Sequence, residues 1–136
     1  MKKKNILNLI FGTFLMVSCS IPKAIEPKFE KNNQEVLKEL QSIRNFEKVA
    51  VNGSAFSHGS ENTDILVVQL INGKDINGEK NQMQQIGKQA MKFVINSIKN
   101  ENDYDKFQVV FIKQAKKGLI NESFTIPIEY NLSDLK

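Results

Sequence analysis

The spacing of apolar residues along the chain predicts two helices. The first is predicted from Asn33 to about Asn45, because Asn33 belongs to the residue types that cap helices well and apolar residues recur behind it at helical spacing. These residues are Val36, Leu37, Leu40 and Ile43. A second, longer helix is predicted from Glu79 to Asn100, where an apolar stripe follows the 3.6-residue period. The stripe consists of Met83, Ile86, Ala90, Phe93, Val94 and Ile98.

Two strands are predicted between these helices. The first covers about Glu47 to Phe56, but its Asn52-Gly53 pair is typical of a type I′ turn. This stretch is therefore either a hairpin of two short strands or one bulged strand, and we favour the bulged strand because few residues flank the pair. The second strand, Asp64 to Ile71, is almost continuously apolar, and we expect it to lie in the centre of the sheet.

Two further strands follow the long helix. The third is predicted at residues 107–112, and the fourth at residues 123–130, where apolar and polar residues alternate cleanly. The alternation indicates that the fourth strand exposes one face to water. Pro127 lacks an amide hydrogen, which favours a position at the edge of the sheet.

The predicted order is helix, strand, strand, helix, strand, strand. It indicates a two-layer α+β fold, with a mostly antiparallel four-stranded sheet packed against one long helix and a shorter N-terminal helix. Residues 46–49 (Phe-Glu-Lys-Val) and residues 104–107 (Tyr-Asp-Lys-Phe) each lie between a helix and a strand. This echo suggests a duplicated αββ unit, although four similar residue types also arise by chance.

The first eighteen residues have the pattern of a secretion signal. Lys2, Lys3 and Lys4 precede an apolar run from Ile6 to Val17. A membrane-spanning helix takes roughly 20 apolar residues, so this run is too short to be a transmembrane anchor.

The residues that end this leader, Leu15-Met16-Val17-Ser18-Cys19, resemble the lipobox of bacterial lipoproteins, although Met16 replaces the commoner leucine. The resemblance implies that the thiol of Cys19 receives a diacylglycerol group, that cleavage precedes Cys19, and that the new amino group is acylated with a fatty acid such as palmitate. The expected partner of the acyl chains is a membrane of the cell envelope. Ser20 follows where an inner-membrane protein typically has aspartate, which favours the outer membrane, facing the periplasm.

The predicted organisation therefore has three parts. Residues 1–18 form the signal peptide, residues 19–31 a lipidated N-terminus and flexible spacer, and residues 32–136 the α+β domain. The spacer is inferred from Pro22, Pro27 and alternating charges, with few residues that could be buried.

The charge distribution argues against nucleic acid as a partner. The chain has 19 basic and 15 acidic residues, for a net charge of +4. Three of the basic residues lie in the leader and every acidic residue follows Cys19, so the mature chain has a net charge of about +1. A chain without concentrated basic charge has little to neutralise phosphates.

No pattern in the sequence indicates catalysis, a metal or a cofactor. His58 is the single histidine, in the stretch Ser57-His58-Gly59-Ser60, but the Gly-x-Ser-x-Gly elbow of many serine hydrolases is absent, so we interpret the stretch as a polar turn. Residues 100–105 supply oxygen atoms but lack the glycine and distal glutamate of a calcium loop. Other carboxylate pairs, such as Glu61 with Asp64, are common on surfaces.

Three functional hypotheses follow. The first is a non-enzymatic lipoprotein whose domain binds or scaffolds another envelope component. The second is a binder of a small apolar ligand between the long helix and a curved sheet, in a shape that resembles cystatins or nuclear-transport-factor-like cones. A pocket of a few hundred cubic ångströms lined by Phe and Met would favour this second hypothesis, and a solid core would exclude it. The third is an unusual hydrolase that uses His58.

Overall fold

The computed structural model describes residues 22–136 and shows an α+β fold in the predicted order. The elements are α1 (Asn33–Ser42), β1 (Lys48–His58), β2 (Glu61–Ile71), α2 (Lys80–Ile95), β3 (Lys106–Lys117), β4 (Ile120–Tyr130) and α3 (Leu132–Leu135). A single 3₁₀ turn at Glu101–Asp103 precedes β3. The short helix α3 was not predicted, and it contributes Leu135 to the core.

The four strands form one mixed sheet in the order β1-β2-β3-β4. The two hairpins, β1–β2 and β3–β4, are antiparallel, but the central pair β2–β3 is parallel. The expectation of a mostly antiparallel sheet therefore needs correction at its centre. The physical reason is that α2 crosses back over the sheet between β2 and β3, so both strands start at the same end. The predicted central position of β2 and edge position of β4 are confirmed.

Both main helices are shorter than the sequence predicts. Helix α1 is capped by Asn32 rather than Asn33, since the Asn32 Oδ1 accepts a hydrogen bond from the Gln34 amide at 2.8 Å. Helix α2 ends at Ile95, five residues before the predicted end at Asn100. Beyond it, the backbone of residues 97–99 bonds to the N-terminal segment instead of continuing the helix.

Strand β1 is a single strand, as favoured, but the expected bulge at Asn52-Gly53 is wrong. Asn52 pairs with Val67 and Gly53 with Leu66, one residue against one residue. The hairpin turns at Gly59-Ser60 instead, within the stretch interpreted as a polar turn, and Gly59 has φ of +64°. Gly118 has the same φ in the turn of the β3–β4 hairpin. Glycine with positive φ at the first turn position is typical of tight two-residue hairpins.

The core lies between one face of the sheet and helices α1 and α2. Alternate residues of the strands point to this face, while the helices contribute their apolar stripes. The sheet contributes Val49, Val51, Leu66, Val68, Leu70, Phe107, Val109 and Phe111. The helices contribute Leu40, Met83, Ile86, Ala90, Met91, Val94 and Ile95.

Residues 25–30, which composition assigned to a flexible spacer, lie against the domain. Ile25 and Phe29 pack on the core, and Phe29 forms a β-bridge with Ile98. The Ile25 carbonyl accepts a hydrogen bond from the Tyr104 hydroxyl at 2.9 Å. Composition could not reveal these contacts because their partners lie about 70 residues further along the chain.

The suggested αββ duplication does not appear as a superimposable repeat. Both units place their helices on the same face, and α1 and α2 contact each other. If the two αββ units had the same handedness, with both helices on one face of the sheet, the central strand pair would be antiparallel or the strand order would be β1-β2-β4-β3. The observed order with a parallel centre is neither. The echo at residues 46–49 and 104–107 reflects a shared local role, in which a buried aromatic ring precedes a strand.

Candidate functional site: an apolar pocket beside the β3–β4 hairpin

The candidate site lies where β2 and β3 end. Because these strands are parallel, their carboxyl ends meet at one end of the sheet, and the loop of residues 72–79 leads from there to α2. In sheets with parallel strands and crossover helices, ligands commonly bind at this position. Here, Asn72 extends the pairing with β3, since its amide donates to the Ile112 carbonyl at 3.0 Å.

A pocket of about 460 Å³ opens at this end of the sheet. Its apolar wall combines sheet, helix and loop. The side chains of this wall are Leu70, Ile76, Met83, Phe111, Phe124 and Ile126. Phe111 and Met83 are buried in the core, whereas Phe124 is 67% exposed at the pocket mouth. The pocket is thus a local opening of the core surface between α2 and the end of the sheet.

The polar part of the pocket is formed by amides and one amine. Asn72, Asn77, Lys113 and Gln114 line it, and none of the thirteen lining residues is acidic. Lys113 is exposed and has no carboxylate within 4.0 Å among residues 22–136. The pocket therefore pairs an apolar wall with a single cationic group at its edge.

Asn72 holds the loop side of the pocket in place. Its Nδ2 donates to the Glu47 carboxylate at 2.6 Å, and its Oδ1 accepts from the Gln114 amide at 2.8 Å. Its φ of +50° lies in the left-handed region, which asparagine tolerates better than most residues. These bonds join the start of β1, the end of β2 and β3, so the loop is pinned to the sheet from two sides.

The pocket borders a projecting part of the β3–β4 hairpin. Strand β2 ends at Ile71, which pairs with Ile112, but β3 continues to Lys117 and turns into β4. Residues 113–124 therefore extend beyond the four-stranded sheet as a two-stranded arm, here called the arm. A second cavity of about 520 Å³ flanks the arm and is mostly polar, with Glu47, Lys116 and Glu122 among its lining residues.

Among residues 22–136, the candidate residues His58, Asp64 and Asp105 do not line the pocket. Cys19 and the leader lie outside the described residues. His58 is exposed at the end of β1, pairs with Glu61, and lines neither cavity. Asp105 has a structural contact, because its Oδ2 accepts from the Asp64 amide at 2.9 Å. Within residues 22–136, no group of three or more His, Cys, Asp or Glu side chains is placed to hold a metal ion.

Sequence patterns did not identify the pocket residues. Phe111 and Phe124 fall on the apolar stripes of their strands, and this pattern predicts a place in the core for both. The two Ile-Asn-Gly copies at residues 71–73 and 76–78 are a usable signal, although as a sequence pattern they predict only the bounds of a loop. Five of these six residues line the pocket.

Comparison of the chain with protein-family models, with curated proteins and with solved structures finds no match. In the part of the chain that the structure describes, no helix has the length and apolar character needed to cross a membrane.

Proposed function

We propose that this protein is a lipid-anchored protein of the cell envelope whose domain binds a small amphiphile, with the apolar part of the ligand in the pocket beside the arm. The observation that carries the ligand proposal is the pocket of about 460 Å³ with its Phe and Met wall. The anchor rests on the lipobox resemblance around Cys19. Binding of another envelope protein stays a prediction from the sequence.

The size and chemistry of the pocket support an amphiphile. Small-molecule sites typically measure about 300–1,000 Å³ and combine apolar walls with a few polar groups. The apolar wall buries hydrocarbon, while Lys113 and the neighbouring amides favour an acidic or polar head group. The ligand class that fits is a hydrocarbon chain with a carboxylate or similar anionic head.

The first experiment uses tryptophan as a reporter, because the chain contains none. A Phe124→Trp protein is titrated with dodecanoate below its micellar concentration. We expect a saturable change in tryptophan emission, since the ligand covers a ring that is 67% exposed. Phe56→Trp is the matched control, because Phe56 is 62% exposed on the other hairpin. Equal responses from both proteins, or no response from Phe124→Trp, would contradict the proposal.

The head-group preference is tested with Lys113→Gln in the Phe124→Trp background. We expect dodecanoate binding to weaken about two- to fivefold, in the range of an exposed ion pair. Binding of dodecanol, which has no charge, should stay the same. Equal weakening for both ligands would show that Lys113 acts by shaping the pocket instead of pairing with the head group.

The anchor is tested independently of the ligand. The intact mass of the native protein should lack residues 1–18 and include acyl chains, and the protein should partition with membranes. Cys19→Ser should abolish both the acylation and the partition, because oxygen replaces the thiol that receives the lipid. A wild-type protein that is unacylated and stays in the aqueous phase would refute the anchor while leaving the ligand proposal intact.

A further inference from the structure

We infer that the arm is a membrane-docking surface, which inserts its apolar residues among anionic lipids. The relevant residues are Leu119 and Ile120 at the tip, with Lys116 and Lys117 beside them, and Phe124 at the base, on the same face of β4 as Ile120. This inference goes beyond the proposed ligand pocket, and only its orientation argument rests on the proposed anchor at Cys19.

The first argument is the concentration of exposed apolar side chains. Leu119 is 105% exposed, and Ile120 and Phe124 are 65% and 67% exposed. These are three of the four large apolar residues that are exposed within residues 22–136, and the fourth, Phe56, stands alone on the other hairpin. A two-residue turn does not require Leu119, because polar Ser60 occupies the equivalent position in the β1–β2 hairpin. Covering the three side chains would remove a large apolar area from water.

The second argument is charge. Lys113, Lys116 and Lys117 belong to the arm, and Glu122 is its one acidic residue. Lys117 lies 3.5 Å from Glu122, with both side chains more than half exposed, so this pair is weak and the arm stays net positive. Apolar residues flanked by lysines complement an anionic bilayer surface, where the lysines meet the head groups and the apolar side chains enter the lipid.

The register of the sheet gives the distance between the arm tip and the N-terminal segment. The backbone of Ile25 abuts Gly53, which pairs with Leu66, and Leu66 pairs with Phe107. The turn at Gly118 is eleven residues further along β3, which corresponds to about 36 Å of strand. The arm and the attached end of the N-terminal segment therefore lie near opposite ends of the sheet.

An anchor at Cys19 is compatible with this separation. Ile25 lies six positions after Cys19, and six residue steps reach at most about 20 Å. With Cys19 at the bilayer and the arm tip inserted, the strand direction of β3 lies within about 35° of the membrane plane, from the ratio of these two lengths. Since Phe124 belongs to both the arm and the pocket mouth, docking that includes Phe124 brings the pocket opening next to the lipids.

The test compares Leu119→Trp with Ser60→Trp, which place single tryptophans at equivalent positions of the two hairpins. Both full-length proteins carry Cys19→Ser, so that no acyl chain binds the vesicles, and they are mixed with phosphatidylcholine vesicles that contain phosphatidylglycerol, with and without brominated acyl chains. We expect a blue shift and quenching by the brominated lipids for Leu119→Trp alone. Similar shifts for both proteins, or none for Leu119→Trp, would overturn the inference. A blue shift without vesicles that grows with protein concentration would overturn it in favour of contact between two copies of the chain.

The charge argument has its own control. Lys116→Gln with Lys117→Gln in the Leu119→Trp background should weaken binding to the anionic vesicles by about fivefold to twenty-five-fold, at about fivefold for each lysine. Lys88→Gln with Lys99→Gln removes the same charge from exposed positions away from the arm. Equal losses in the two double variants would show attraction by net charge instead of docking through the arm. Neither change affects a pocket residue, so ligand binding by the Phe124→Trp protein stays an independent measurement.

Discussion

Tyr104, which is buried, and Tyr130, which is partly buried, each use the side-chain hydroxyl to join distant parts of the chain. The Tyr104 hydroxyl donates to the Ile25 carbonyl, and the Tyr130 hydroxyl donates to the Gln84 carbonyl, both at 2.9 Å. Burial raises the pKa of Tyr104 to about 12 and the pKa of Tyr130 to about 12, because the phenolate would lose hydration. Their ionisation is therefore coupled to folding.

The coupling predicts a loss of stability at alkaline pH. Between about pH 10 and pH 12 the unfolded chain releases the Tyr104 proton while the folded chain retains it, so the free energy of unfolding falls as the pH rises. The full effect for Tyr104 is about 2–3 kcal/mol, from two pKa units. Urea unfolding from pH 9 to pH 12 measures this loss of stability. In Tyr104→Phe, the free energy of unfolding should fall less steeply with pH. An unchanged slope in that variant would assign the pH dependence to other groups.

At the scale of elements, the N-terminal segment behaves as part of the domain. Asn100 is only 8% exposed. Its Oδ1 accepts a hydrogen bond from the Lys28 amide at 2.8 Å, and its Nδ2 donates one to the Glu26 carbonyl at 3.1 Å. The Lys99 amide donates to the Lys28 carbonyl at 2.8 Å. Gly53 makes this attachment sterically feasible, because a Cβ there would overlap the Ile25 carbonyl.

Gly53→Ala should therefore detach the segment from the sheet. We expect the free energy of unfolding to fall by about 1–3 kcal/mol, as for other overpacked sites. Hydrogen exchange at the Lys28 and Glu30 amides should accelerate, since both amides are bonded in this attachment. Ser54→Ala is the control on the opposite face of β1. Unchanged exchange at the two amides in Gly53→Ala would contradict the proposed role of Gly53.

For the whole molecule, local sequence patterns predicted which helices and strands form better than they predicted where these elements end and how the strands pair. The apolar stripe of α2 and the alternation in β4 each depend on nearby residues, and both elements are present. The end of α2 depends on residues 28–30, which bind the backbone beyond it and lie far away in sequence. Parallel or antiparallel pairing of β2 and β3 leaves the same side-chain alternation, so the pattern could not distinguish them.

The pocket was beyond prediction for a related reason. Phe111 and Phe124 lie on the same alternating apolar positions of β3 and β4 as the core residues do. This alternation does not show which part of each strand a helix covers. Phe111 lies near α2 and is 7% exposed, whereas Phe124 is 67% exposed on the arm. Only the three-dimensional arrangement separates the two. The anchor at Cys19 stays a prediction from the leader.

The parallel pairing of β2 with β3 also has a consequence for folding kinetics. Each hairpin closes through a two-residue turn, so its contacts are local and form within about microseconds. The central pair joins residues such as Ile65 and Lys106, which are 41 positions apart, and closes only when α2 spans the gap between them. Two separate hairpins are marginally stable in water, so we expect the docking of α2 to be the rate-limiting step.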